Sequence, residues 1–163
     1  MEILAEGEGE LLGWRDPDEN RAWVRDNKPR GLVDKTMGIA EAVSRYVKDG
    51  DYIAIGGFGH MRVPMALIYE IVRQGRRNLA MAGKTAVHDM DILIGAGCVD
   101  RVECAYSFGH ELRGLSPAGR RGVESGRVKV VAESSNGCYQ WRCLAGMVGI
   151  PFIPVRNLMG TDT

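Results

Sequence analysis

Neither sign of charge is in excess in this chain. Its 21 basic and 21 acidic residues cancel to a formal net charge of zero, so the overall balance points to neither nucleic acid nor an anionic membrane and leaves a small or locally charged ligand. Long apolar runs are missing as well. No window is long and apolar enough to span a bilayer, and no basic segment followed by an apolar stretch opens the chain at Met1, so the protein reads as cytoplasmic. Cys98, Cys104, Cys138 and Cys143 are irregularly spaced and make no CxxC pair, so reduced and mostly buried thiols are expected in place of disulfides or zinc. His60, His88 and His110, with Asp89 and Asp91 beside His88, show neither i, i+4 nor HxH spacing, and no metal centre is expected. What the chain does have is 163 residues, 45% of them hydrophobic, enough for one domain around one core.

Residues 1–33 differ from the rest: they are charged, carry Trp14 and Trp23, and show no clear periodicity. They form an extension, either a mobile tail or a segment whose tryptophans pack on the domain or on a second chain. The domain proper is expected over residues 34–163. Met37, Ala40, Val43 and Val47 recur at helical spacing and stop at Asp49-Gly50, after which Tyr52 to Ile55 reads as a short buried strand. Pro64 opens a helix with the stripe Met65, Ile68, Ile71 and Val72, ending at Gly75. Asn78 to Ala82 is the second strand, "VHDMDILIGAG" a helix, and "VDRVECAY" the third strand. Ser116 caps a helix that begins with Pro117 and ends near Gly126. Val128 to Ala132 is the fourth strand, a helix covers roughly Cys138 to Val148, and Pro151 to Val155 reads as a fifth strand or edge segment. Strands alternating with helices predict βαβ units: an α/β fold with an open parallel sheet covered on both faces, its post-strand loops gathered on the edge where such domains bind ligands.

The stretch "KDGDYIAIGGFGHMRVP", Lys48 to Pro64, puts a glycine pair on that edge. A strand ending in Gly56-Gly57 before a helix lets backbone N–H groups face a phosphate, a carboxylate or an oxyanion, with a tight turn that binds nothing as the alternative. The dinucleotide fingerprint fails, because Gly57-Phe58-Gly59-His60-Met61-Arg62 ends in arginine and no acidic residue closes the second strand. "AGKT" (Ala82 to Thr85) is not a phosphate-binding P-loop, since Asn78 stands where that motif needs glycine. Lys84 is expected just past a strand end, either touching an anionic ligand or solvated. The histidines fall in post-strand loops, and His60 is the one placed to act because it follows the glycines directly. Glu133 opens "ESSNG" right after the fourth strand, where it can be a nucleophile or general base, or can hold the loop by hydrogen bonds. Cys138 reads as the start of a buried helix rather than as a nucleophile.

These residues resemble the signature of family I coenzyme A transferases, in which an Asp/Asn-Gly turn, an apolar strand and Gly-Gly-Phe lead to a proline. Asp49, Gly50, Ile53, Ala54, Ile55, Gly56, Gly57, Phe58 and Pro64 match it, and Arg62 stands where the pattern usually has glycine. The likeness continues through "YEIVRQG", "DMDILIGAGCVDRV" and "GIPFIPVRNLMGTDT", from about Asp34 to Thr163, and these features look like the A subunit of glutaconate-type enzymes. It implies a Rossmann-like α/β domain of the CoA-transferase type, with an acyl-CoA thioester and a carboxylic acid acceptor bound between A and B subunits and no permanently bound cofactor. It further implies that the B subunit supplies the catalytic glutamate, so that this chain carries no catalytic residue of its own. Gly56, Gly57, Phe58, Gly59, His60 and Lys84 would then be the substrate-binding residues. The family's nucleophile lies in a Ser-Glu-Asn-Gly loop of the partner, which "ESSNG" imitates loosely after the wrong strand, so Glu133 is expected to be structural. A subunits usually continue beyond the Gly-Thr-Asp reached here, which implies an N-terminal portion of one, either a fragment or completed by another chain. Two alternatives stay open: a related hydrolase that opens the ring of a cyclic CoA thioester, and a ligand- or sugar-phosphate-binding domain of the same general fold.

Overall fold

A computed structural model describes residues 16–109 and 114–161; Trp14 and His110 lie outside them. Short apolar runs after turns become strands, and apolar stripes at helical spacing become helices. The order is α1 (Pro17–Asn27), α2 (Ile39–Tyr46), β1 (Tyr52–Ala54), α3 (Met65–Arg73), β2 (Leu79–Ala86), α4 (His88–Gly95), β3 (Val99–Ser107), α5 (Pro117–Glu124), β4 (Lys129–Glu133) and α6 (Asn136–Val148). The four strands form one sheet in the order β1-β2-β3-β4, every neighbouring pair parallel. This is the α/β, open parallel-sheet fold expected from the alternation.

Strands laid down in chain order with right-handed crossovers send all their connecting helices to one face. Accordingly α2 packs on α3, α3 on α4 and α4 on α5. Their apolar stripes close the core on Leu79, Met81 and Val102 of the sheet, with Ile68, Met90 and Leu93 wholly buried. Each such side chain contributes roughly 1.5–3 kcal/mol by leaving water. The other face, which carries Ala80 and Ala82, receives α6 against β2 and β3.

Several local expectations are corrected. Residues 17–27 form a helix although they show no apolar stripe, because Asp16 accepts hydrogen bonds from the N–H of Asp18 (2.9 Å) and Glu19 (3.2 Å) and Pro17 suits the first helical position. Arg21 of this helix donates to the carbonyl of Gly149, tying α1 to the end of α6, while Trp23 remains 53% exposed. Ser116 stands at the start of α5 without capping it by its side chain. Asp91 does so from α4, accepting from the N–H of Ala118 (2.9 Å) and Gly119 (2.8 Å). Residues 151–155 form no strand. No helix among the described residues is long and apolar enough to cross a membrane.

A polar network fastens α6 to the sheet. Glu103 on β3 is 4% exposed. Its Oε2 accepts from the Tyr52 hydroxyl (2.6 Å) and pairs with Arg142 Nη2 (2.8 Å). Burial first, and then this hydrogen bond, push the Tyr52 phenol well above the ordinary value of 10.0. A folded-state pKa raised in this way gives stability that is whole below pH 10 and is lost as pH rises beyond it. In denaturant unfolding followed across pH, Tyr52→Phe should therefore remove part of the alkaline loss seen in the wild type. Arg142→Ala should cost about 1–3 kcal/mol, less than a fully buried pair because the guanidinium is half in water.

Candidate functional site

β1 ends at Ala54, opposite Ala82, but β2 runs on through Gly83, Lys84 and Thr85 to Ala86, with β3 as its strand partner there. The second strand is thus longer than the sequence pattern suggests, and Lys84 lies inside it rather than in a loop past its end. Gly83 allows this: a Cβ there would stand 2.4 Å from the Cβ of Ala86 and 2.9 Å from Cε of Met90, so only glycine lets α4 come so close.

The glycine-rich stretch folds onto this overhang as a miniature hairpin. Phe58 and Met61 exchange two backbone hydrogen bonds (2.9 and 2.8 Å) around Gly59 and His60. Gly59 holds φ 56°, the sign that a primed hairpin turn needs at its first central position. The Gly59 N–H donates to the Thr85 carbonyl (3.0 Å), seating the tip on β2. The His60 ring then meets the ring of His88, centroids 4.4 Å apart, and the Lys84 ammonium stands 5.4 Å from the centroid of the Phe58 ring. His88 is the first residue of α4, not a loop residue as expected.

The two adjacent glycines have different reasons to be there. A Cβ at Gly57, where φ is 129°, would lie 3.1 Å from Val63 Cγ2 and 3.2 Å from the carbonyl oxygens of both Met61 and Arg62. The loop's own closure demands that glycine. A Cβ at Gly56 would meet nothing within 4 Å. The Phe58 N–H is consumed inside the loop and that of Gly59 by β2, whereas those of Gly56 and Gly57 engage no partner among the described residues. The hairpin also holds Arg62 at φ 59°, a left-handed backbone that costs a bulky residue of order 1–3 kcal/mol.

Gly56, Gly57, Phe58, Gly59, His60 and Lys84 therefore share one edge, and His88 joins them. Thr85 and Asp89, which sequence reasoning did not select, lie beneath. Thr85 Oγ1 and Asp89 Oδ1 are buried with no hydrogen-bond partner among the described residues, and burial pushes the Asp89 carboxyl up against the pull of backbone hydrogen bonds at Met90, Asp89 and Val87. The sequence signal for both was position: one lies near the end of the strand and the other opens the next helix. Glu133 is not part of this group. It is the last residue of β4, two strands from β2 or about 10 Å by strand spacing alone, and it lines a separate cavity of about 400 Å³ with Tyr106, Phe108 and Arg120. Cys138 is buried at the start of α6, its thiol donating to Asn157 Oδ1 (3.1 Å). Burial drives the Cys104 thiol up to about 11. Among the described residues no group of three or more His, Cys, Asp or Glu is placed to hold a metal ion.

A family model described as coenzyme A transferase matches residues 36–163. An uncharacterised protein of Archaeoglobus fulgidus is 66% identical over the whole chain, which covers 36% of it. The A subunit of glutaconate CoA-transferase from Acidaminococcus fermentans is 35% identical over 79% of this chain and 40% of its own length. The crystal structure of glutaconate CoA-transferase from that organism superposes with a TM-score of 0.69, covering 78% of this chain and 40% of the other. The A subunit of 3-oxoadipate CoA-transferase from Pseudomonas knackmussii is 35% identical over 77% of this chain and 45% of its own length. The chain thus spans less than half the length of each of these curated relatives.

The different demands on the two glycines can be measured. Gly57→Ala should weaken the hairpin by about 1–3 kcal/mol, seen as faster amide exchange at Phe58, Gly59 and Met61 and a lower melting temperature. Gly56→Ala should leave both unchanged.

Proposed function

Because the chain belongs to the coenzyme A transferase family, we propose that it forms the acyl-CoA-binding part of an A subunit whose B subunit supplies the nucleophilic glutamate. The reading rests on one observation: the hairpin leaves the N–H groups of Gly56 and Gly57 without a partner among the described residues, at the C-terminal edge of a parallel sheet, where open α/β domains take their ligands.

In the proposed cycle the partner's glutamate attacks the thioester carbonyl, and the negative charge that develops on the carbonyl oxygen is met by the Gly56 and Gly57 N–H groups. Collapse expels CoA as its thiolate and leaves an acyl-glutamyl anhydride. The thiolate then attacks the glutamyl carbonyl, releasing the first carboxylic acid and forming a glutamyl-CoA thioester. An acceptor carboxylate repeats these two steps in reverse and leaves with the CoA. His60 and Lys84 flank the reacting group, Lys84 held by the Phe58 ring so that its charge faces the site. This chain supplies position and electrostatics, and Glu133 takes no part.

The purified chain alone should bind acyl-CoA weakly and show no transfer, and addition of a B subunit should be required for turnover. In the assembled enzyme Gly56→Ala keeps its N–H but puts a Cβ into the open space where the thioester would lie, and by displacing the carbonyl oxygen from its donors should lower turnover ~100–1,000-fold at unchanged thermal stability, and Glu133→Gln should leave turnover as it is. Measuring rate and unfolding on one preparation checks both. Full activity in Gly56→Ala, or loss of activity in Glu133→Gln, overturns the assignment. Product analysis separates transfer, which yields a new thioester, from hydrolysis.

A further inference from the structure

A cavity apart from the glycine-rich edge plays no part in the transfer chemistry. α5 packs on α4, and between α5 and the C-terminal ends of β3 and β4 lies an opening of about 400 Å³, within the range of roughly 300–1,000 Å³ in which small ligands bind. Its walls are apolar: Val123 from α5, Val130 from β4 and Phe108 just past β3. Phe108 holds φ 61°, a left-handed backbone that a bulky residue adopts only when its surroundings impose it. Gly119 makes room for the ring, since a Cβ there would stand 2.3 Å from Phe108 Cδ1. The Phe108 carbonyl accepts from the Ser116 N–H (2.7 Å), which fixes the turn that carries the ring.

The charges of the lining do not balance. Arg120 Nε pairs with Glu124 Oε1 at 2.7 Å. Glu133, opposite Cys104 at the end of β4, has a carboxylate that no hydrogen bond or ion pair engages among the described residues. Ser107 Oγ, also in the lining, is buried with no hydrogen-bond partner among the described residues. The surplus carboxylate repels an anion, and an uncharged apolar guest would leave it unmatched at a site closed off from water.

We infer that this cavity is a binding site for a small organic cation, a primary amine on an aromatic or branched apolar body. The ammonium donates to the Glu133 carboxylate, and the body lies against Phe108, Val123 and Val130. The site is separate from the acyl-CoA edge, so Glu133 serves this ligand and not the transfer, and the inference stands or falls independently of the function proposed above.

The test titrates the isotope-labelled chain with phenethylamine, a cation at neutral pH, and with hydrocinnamate, an anion on the same aromatic body, reading amide shifts by NMR. Phenethylamine should shift the amides of Phe108, Val123 and Glu133 saturably, and hydrocinnamate should not. Glu133→Gln should weaken phenethylamine about 10–100-fold, the loss expected for a hydrogen bond to a charged group. Phe108→Leu should weaken it about 2–10-fold through loss of the aromatic contact, and Val123→Trp, which fills the cavity, should abolish binding. Glu133→Gln changes only an exposed side chain and decides by itself if Val123→Trp fails to fold. Equal binding of amine and anion, unchanged affinity in Glu133→Gln, or no saturable shift in the wild type overturns the inference. Displacement of phenethylamine by acetyl-CoA assigns the cavity to the acyl-CoA site and overturns it as well.

Discussion

The overhang of β2 beyond β1 is the constraint from which the candidate site is built. From Gly83 to Ala86 it is paired with another strand on one side only, and a carbonyl left open on the other side must find a donor. The hairpin supplies it through Gly59, and by docking there it stations His60 beside His88 and Phe58 beneath Lys84. Had β1 continued alongside, the same carbonyls would have been used in the ladder and the glycines would have no place to turn. β1 cannot continue, because Gly57 at φ 129° has left the extended region. The position of the site is thus a consequence of one strand stopping before its neighbour.

The strand order decides what each face can do. With all the crossover helices on one side, the apolar core is asymmetric, and the opposite face needs its own means of holding α6. It uses the buried Glu103 carboxylate, shared between Tyr52 and Arg142. An apolar contact of similar size would hold the helix at least as strongly, since desolvation offsets much of a buried ion pair. What the network adds is direction: the hydroxyl from β1, the carboxylate from β3 and the guanidinium from α6 meet in one arrangement and penalise a shifted helix.

Much of this was legible in the sequence. Helical stripes at Ile68, Ile71 and Met90, Leu93 and the short apolar strands were enough for the alternation and hence for the parallel sheet. The signature residues placed the glycine pair at the C-terminal edge of that sheet. What the pattern hid was governed by contacts distant in sequence. "AGKT" looked like a loop because Gly83 and Lys84 have low strand propensity, yet tertiary packing of Met90 against the sheet overrode that preference. Ser116 looked like the cap of α5, while the hydrogen bonds come from Asp91 on the preceding helix. The two glycines look identical in a sequence, and only the closing of the loop over Gly57 distinguishes a glycine that the fold requires from one that leaves room for a ligand.

Net charge was the least informative quantity of all, and the structure explains why. Many of the acidic residues are occupied as acceptors inside the fold: Asp16 caps α1, Asp49 and Asp51 receive the N–H groups of Arg77 and Lys48 around the turn before β1, Asp91 caps α5, and Glu103 anchors α6. Each neutralises backbone dipoles or a neighbouring cation where it stands. Arg62 and Lys84 have no such acid within ion-pair distance among the described residues. A balance of 21 against 21 therefore conceals a local excess of positive charge at the sheet edge. Such an excess exerts no long-range pull on a distant polyanion, because salt screens it beyond about 8 Å.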